Sequence, residues 1–158
     1  MQEEKHGFRD KSYSAWHRRT STSRFIGLNQ AQLLAMIDLD ASLYVEYDDG
    51  TKEPLALIET AMDVGQPYKT ATVTMKLSQK ADIPSFVLLY ELSDTKNPSD
   101  NSCFDIKGFK YKTLYPVKDS QWKQVTPQEW AEILLKVREW SANRMKNKIT
   151  QPHHQEAA

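Results

Sequence analysis

The amino-acid sequence predicts an α/β fold in which helices flank a mixed central sheet. Three observations carry that expectation. Residues 43–60 show the alternation and the turn of a β-hairpin. An amphipathic stretch, Thr70 to Ala81, then leads to a continuous apolar run, Pro84 to Leu92. A helix that joins a hairpin to a buried strand implies a crossover, and so a sheet with both parallel and antiparallel pairs. Finally, Thr126-Pro127-Gln128-Glu129 has the chemistry of a helix start.

Taken in order, residues 1–24 read as a basic arm. Within it Tyr13 to Arg24 (YSAWHRRTSTSR) carries two aromatics and ends in a Ser/Thr cluster typical of a loop. Residues 25–148 are expected to form one domain. Phe25 to Ile37 is a short helix, with Asn29 as its cap and Leu33, Leu34 and Ile37 at helical spacing. Leu43, Val45 and Tyr47 alternate with Tyr44 and Glu46 in a strand. Asp48-Asp49-Gly50-Thr51 makes the turn, and Pro54 to Thr60 returns as a largely apolar strand. Asp63 to Tyr68 is a connection. The next helix places Val73, Leu77 and Ala81 on one face. Pro84 to Leu92 is too short for a buried helix and reads as a central strand covered on both sides. Ser93 to Ser102 reads as a polar loop, and Phe104 to Pro116 as one or two edge strands. The closing helix presents Trp130, Ile133, Leu134, Val137 and Trp140/Ser141 on one face, and residues 149–158 form a flexible tail.

Composition narrows the function classes. Of 158 residues, 39% are apolar and 27% charged, which excludes a wholly disordered or collagen-like chain. No apolar run approaches the ~20 residues that span a bilayer, so no membrane partner is expected. The first eleven residues are too polar for a secretory signal, and the single Cys103 excludes an intrachain disulfide or a cysteine-based zinc cluster. A cytoplasmic location is the expectation. The formal net charge of zero hides a segregation. Residues 1–24 carry six Lys/Arg against three acids, residues 25–103 five against twelve, and residues 104–148 ten against five. Acidic clusters can hold divalent metal and basic flanks attract polyanions, although a solvated surface gives the same pattern.

The carboxylates gather at the hairpin. Asp38 and Asp40 stand two apart at its entrance, on one side of an extended chain. Glu59 ends an apolar run (LALIE), where an ionised group is costly unless paired or bound to a cation. Carboxylates converging from neighbouring strands suit Mg²⁺, which prefers oxygen ligands and can activate water or stabilise a phosphoryl group. The same residues also fit plainer roles, as helix caps or lysine partners. Among the basic residues, Lys107, Lys110 and Lys112 alternate with Phe109 and Tyr111, and Arg138, Arg144, Lys146 and Lys148 crowd the end of the last helix. They serve either as phosphate contacts or as a solvated, dipole-complementing surface. A DNA footprint would draw on His17, Arg18, Arg19 and Lys110. His153 and His154 sit in the tail, and Cys103 has no neighbouring base in sequence. No phosphate-binding glycine loop or zincin motif is present.

The run from Ala35 to Tyr90, with its Asp-Leu-Asp, hairpin, Pro-Leu-Ala-Leu-Ile-Glu, helix and Ile-Pro-Ser-Phe-Val-Leu-Leu-Tyr, resembles the core of the PD-(D/E)XK nuclease superfamily. The upstream Tyr-Ser-Ala-Trp-His-Arg is similar to a segment of its phage and prophage members. The resemblance implies a restriction-endonuclease-like fold and a Mg²⁺-dependent phosphodiesterase acting on DNA, encoded by a phage or prophage and working in the bacterial cytoplasm. It implies that Asp40 (or Asp38) ligates the metal and that Glu59 is the second ligand. The family's Glu-x-Lys lysine position is Ala61 here. In the family that lysine orients the attacking water and stabilises developing charge, so Lys69, or after it Lys76, would have to supply the charge. The alternative is an inactive nuclease fold that binds DNA or a host protein, for example in phage anti-defence. A homodimer is compatible with either.

Overall fold

The computed structural model describes residues 12, 13, 16, 21–35 and 37–150, with side chains as far as residue 147. The chain divides into two compact units, Met1–Asp38 and Leu39–Ala158. In the first, the helix expected over residues 25–37 is two single turns, α1 (Ser23–Ile26) and α2 (Leu28–Ala31). Gly27 separates them at φ 82°, ψ 159°, a conformation a helix cannot pass through and one that glycine adopts freely. Asn29 therefore lies inside a turn instead of capping it, and Leu33, Leu34 and Ile37 fall beyond the helical residues, exposed.

The second unit is a five-stranded mixed sheet with helices. Its elements run β1 (Ala41–Glu46), β2 (Lys52–Met62), α3 (Thr72–Ala81), β3 (Ser85–Asn97), β4 (Asp100–Tyr115), β5 (Lys123–Val125) and α4 (Pro127–Thr150). The strand order is β1-β2-β3-β4-β5. β2 and β3 are parallel and every other pair is antiparallel, as a helical crossover between them requires. At the hairpin turn Asp49 Oδ1 accepts the Thr51 amide at 2.9 Å and its hydroxyl at 2.7 Å, while Gly50 takes φ 80°.

Alternation along the strands creates two faces. On one, Ala56, Ile58, Phe86 and Leu88 bury against Trp130, with Ile133, Leu134 and Val137 of α4 packed beside them. Phe86, Phe109 and Tyr111 surround the indole at ring-centroid distances of 6.1, 6.1 and 5.3 Å. The predicted helix start is a complete capping box: Glu129 N–H donates to Thr126 Oγ1 at 3.2 Å and Thr126 N–H to Glu129 Oε2 at 2.7 Å.

The other face carries α3, and here the expected apolar stripe is overturned. Val73, Leu77 and Ala81 are exposed, and the helix buries Thr74 and Ser78 instead. Both hydroxyls have partners within the sheet: Thr74 donates to Glu59, and Ser78 Oγ lies 2.7 Å from Ser85 Oγ. A polar seam outcompetes the apolar face because the sheet beneath it holds a carboxylate that needs a donor.

The polar stretch 93–102 is not a loop. β3 and β4 run on through it as a ribbon, paired only with each other beyond Tyr90 and Phe109, and reverse over Pro98 and Ser99. A ribbon without a covered face has no apolar alternation to betray it. Residues 104–115 lie in one strand, the first of the two alternatives expected, but it is no edge over Phe109–Tyr111, where β5 pairs with its far side. Among the described residues no helix is long and apolar enough to cross a membrane.

Candidate functional site

Asp40 immediately precedes β1, whose Ala41 pairs with Ile58 of β2. The antiparallel register therefore sets Asp40 beside Glu59 and Thr60. The Thr60 amide donates to Asp40 Oδ2 at 2.8 Å, and the Thr60 hydroxyl lies 3.3 Å from the same oxygen. Glu59 is on the α3 face of β2 and only 5% exposed. Its Oε1 accepts the Thr74 hydroxyl of α3.

The third member arrives from the crossover connection. Asp63 Oδ1 accepts the Gly65 amide at 3.0 Å, and Gly65 takes φ 82°. Gln66 ties the loop from both ends, accepting the Val64 amide at 2.7 Å and donating to the Met62 carbonyl at 2.8 Å. From the far side Trp122 Nε1–H donates to the Pro67 carbonyl at 3.1 Å. A loop held at so many points delivers Lys69 in one place. Its Nζ lies 3.1 Å from Asp40 Oδ2 and 3.2 Å from Glu59 Oε2, and it donates to the Thr60 carbonyl as well. One ammonium thus sits among three oxygens from three residues.

The electrostatics follow from that packing. Partial burial works to raise the Asp40 carboxyl, but the Thr60 amide and the Lys69 ammonium outweigh it and hold it below its ordinary 3.8. Burial works to lower the Lys69 ammonium, and the carboxylates of Asp40 and Glu59 outweigh it, so it is raised above 10.5. Both groups stay ionised across the neutral range.

Of the residues expected from sequence, Asp40, Glu59 and Lys69 come together, with Lys69 in the loop before α3 and not on the helix. Lys76 is exposed on α3. Asp38 is exposed and belongs to the other unit. Lys110 has its ammonium committed to Asp63 at 2.8 Å. His17, Arg18, Arg19, His153 and His154 lie outside the described residues. Ala61 stands two residues beyond Glu59 on the same face of β2, so a lysine reaches Glu59 from the connection and not from that position. Thr60 and Thr74 are the members that sequence reasoning missed. A buried Glu59 demanded a donor, and Thr74, one turn into the facing helix, was the signal that could have been read.

Among the described residues no three His, Cys, Asp or Glu side chains are grouped to hold a metal ion. The oxygen donors here are two carboxylates and a backbone carbonyl. That set still suits Mg²⁺, which commonly takes one or two protein carboxylates and completes its shell with water and phosphate oxygens. The chain matches no family model, no curated protein and no solved structure.

Proposed function

We propose that the protein is a Mg²⁺-dependent phosphodiesterase acting on DNA, built on a restriction-endonuclease-like arrangement of hairpin, crossover helix and parallel strand. One observation carries the reading: Asp40, Glu59 and Lys69 converge within hydrogen-bonding distance at one end of neighbouring strands. Two carboxylates and an ammonium are the charges that phosphodiester hydrolysis uses, and Lys69 supplies from the crossover what position 61 lacks. Asp40 and Glu59 would hold the metal, with the Thr60 carbonyl beside them. When bound, the ion supplies Lewis-acid stabilisation of the phosphoryl group and a more acidic water. The chain's own residues do the positioning: the Thr60 amide fixes Asp40, Thr74 fixes Glu59, and Lys69 brings a preorganised cation to the place where negative charge develops.

A second reading, a catalytically inactive scaffold that binds DNA or a host protein, is favoured by the same ammonium, since Lys69 already satisfies all three oxygens that a metal would use. Cleavage decides between the two. Purified protein is incubated with plasmid DNA, and separately with RNA, in Mg²⁺ or Mn²⁺, alongside Asp40→Ala, Glu59→Ala and Lys69→Ala. The phosphodiesterase reading expects metal-dependent cleavage by the wild type and none by the three variants. No cleavage by the wild type, and none after Ala61→Lys restores the family pattern, leaves the scaffold.

A further inference from the structure

Lys69 also lines a cavity of about 320 Å³ between the connection, the first turn of α3 and the segment after β4. Tyr68, Val87, Lys112, Lys118 and Trp122 are among its walls. Its size lies at the small end of ligand sites, roughly 300–1,000 Å³. Trp122 is set in advance, because its indole N–H donates to the Pro67 carbonyl and Lys112 Nζ stands 5.0 Å from its ring centroid. The lysines from β4 to β5 divide into two groups. Lys107, Lys110 and Lys123 are paired with Glu91, Asp63 and Asp119. Lys112 and Lys118 make no ion pair among the described residues. Asp119, the acid in the cavity wall, is taken up by Lys123 at 3.0 Å and by the Thr113 amide at 2.9 Å. The walls thus include two lysines without an ion pair among the described residues and two aromatic rings.

We propose that this cavity seats an unpaired nucleotide of a DNA strand, its base against Trp122 and Tyr68 and its phosphates at Lys112 and Lys118. The choice of a nucleic acid as ligand rests on the phosphodiesterase reading of the adjoining cluster. The unpaired state follows from the shape and the chemistry of the cavity. A duplex keeps its base faces inside the stack, so a ring set in a space this small is used only by a base outside it. Ammonium groups beside the rings take the backbone charge without reading sequence. Because Lys69 belongs to both the cavity and the cluster, a strand seated here passes beside Asp40 and Glu59.

Binding is read in EDTA, where turnover plays no part. Fluorescence anisotropy follows a labelled oligothymidine of about 12 nucleotides, a typical single-strand site size, against a duplex of the same length. The single strand is expected to bind about tenfold more tightly than the duplex and to quench tryptophan emission. Trp122→Ala should cost about tenfold, since stacking one base is worth at least that factor in favourable cases, whereas Trp122→Phe, which keeps a ring, should lose much less. Lys112→Ala with Lys118→Ala should weaken binding and reduce the slope of its log–log salt dependence by about 1.4, the single-strand value for two phosphates. Equal affinity for duplex and single strand, or single-strand binding unmoved by both Trp122→Ala and the double lysine variant, overturns the inference. Single-strand binding that depends on these residues in a protein that cleaves nothing upholds the cavity and removes the phosphodiesterase reading instead.

Discussion

Replacing Lys69 by methionine removes the ammonium and keeps most of the side-chain volume. In the wild type that ammonium faces Asp40 Oδ2, Glu59 Oε2 and the Thr60 carbonyl. Asp40 retains the Thr60 amide after the change and is about a third exposed, so water takes over much of its solvation. Glu59 does not have that recourse. At 6% side-chain exposure it keeps the Thr74 hydroxyl, on its other oxygen, and no second cation among the described residues. Removing one partner of a fully buried pair costs about 3–5 kcal/mol. With Lys69 itself 26% exposed and Asp40 more so, the expected loss is nearer 2 kcal/mol. Urea unfolding in EDTA, with a slope of about 2 kcal/mol per molar for a chain of this size, should show the midpoint fall by about 1 M. Adding Mg²⁺ should then restore much of that loss in the variant, because the two carboxylates are left without a cation and any ion bound only by the folded state stabilises it. The wild type, whose oxygens already face a cation, should respond less. A variant as stable as the wild type in EDTA would refute the claim that Glu59 depends on Lys69. A variant destabilised but indifferent to Mg²⁺ would refute the claim that these oxygens can hold the ion.

Two further outcomes are expected. Thr74→Val should cost about 1.5–3 kcal/mol, the usual worth of a hydrogen bond to a charged group, while Thr74→Ser should recover most of it; urea midpoints for the pair read both. The cluster also fixes a pH dependence. Asp40 titrates below 3.8 in the folded protein, so its contribution is complete above that value and is lost as pH falls through the lowered one. Lys69 titrates above 10.5, so its contribution is complete below that value and is lost as pH rises through the raised one. Unfolding curves of Asp40→Asn should flatten the acid limb relative to wild type, and parallel acid limbs would contradict the assignment.

Where one face of an element was paid for by burial, its identity was legible in the sequence. The closing helix announced itself twice, through the Thr126–Glu129 box and through Trp130, Ile133, Leu134 and Val137, and both signals describe contacts that form. The hairpin and the central strand were readable for the same reason. The errors fall where burial follows another rule. α3 buries hydroxyls, so a search for apolar period picks its solvent side. The ribbon of β3 and β4 has no core face, so Ser93 to Ser102 carries the composition of a loop while holding a strand ladder. The first-unit helix fails at Gly27, a residue whose φ the apolar spacing around it does not reveal. At the site, Asp40 and Glu59 were visible as acids beside an apolar run. Thr74 was hidden because a threonine in a helix has many ordinary uses.

The place of the cluster follows from the one parallel pairing in the sheet. β1 returns antiparallel to β2, which brings the start of β1, and Asp40 with it, to the carboxyl end of β2. β3 lies parallel to β2, so the chain must leave that same end and travel back along the face before β3 can begin. The connection that does so, Asp63 to Ala71, starts where the two carboxylates already are. Lys69 stands late in it, three residues before α3, and is returned to them by the loop hydrogen bonds and the Trp122 contact that fix the loop's course. The cavity beside Lys69 is walled by the end of this connection, the first turn of α3, Val87 of β3, Lys112 and Leu114 of β4 and the segment after β4. The position of Lys69 is thus a consequence of topology, whereas a lysine at position 61 would have been a consequence of strand alternation alone. Both routes carry an ammonium to Glu59. The route through the crossover also ties the ammonium to the wall of a cavity, so that whatever enters the cavity and whatever the carboxylates hold share one residue.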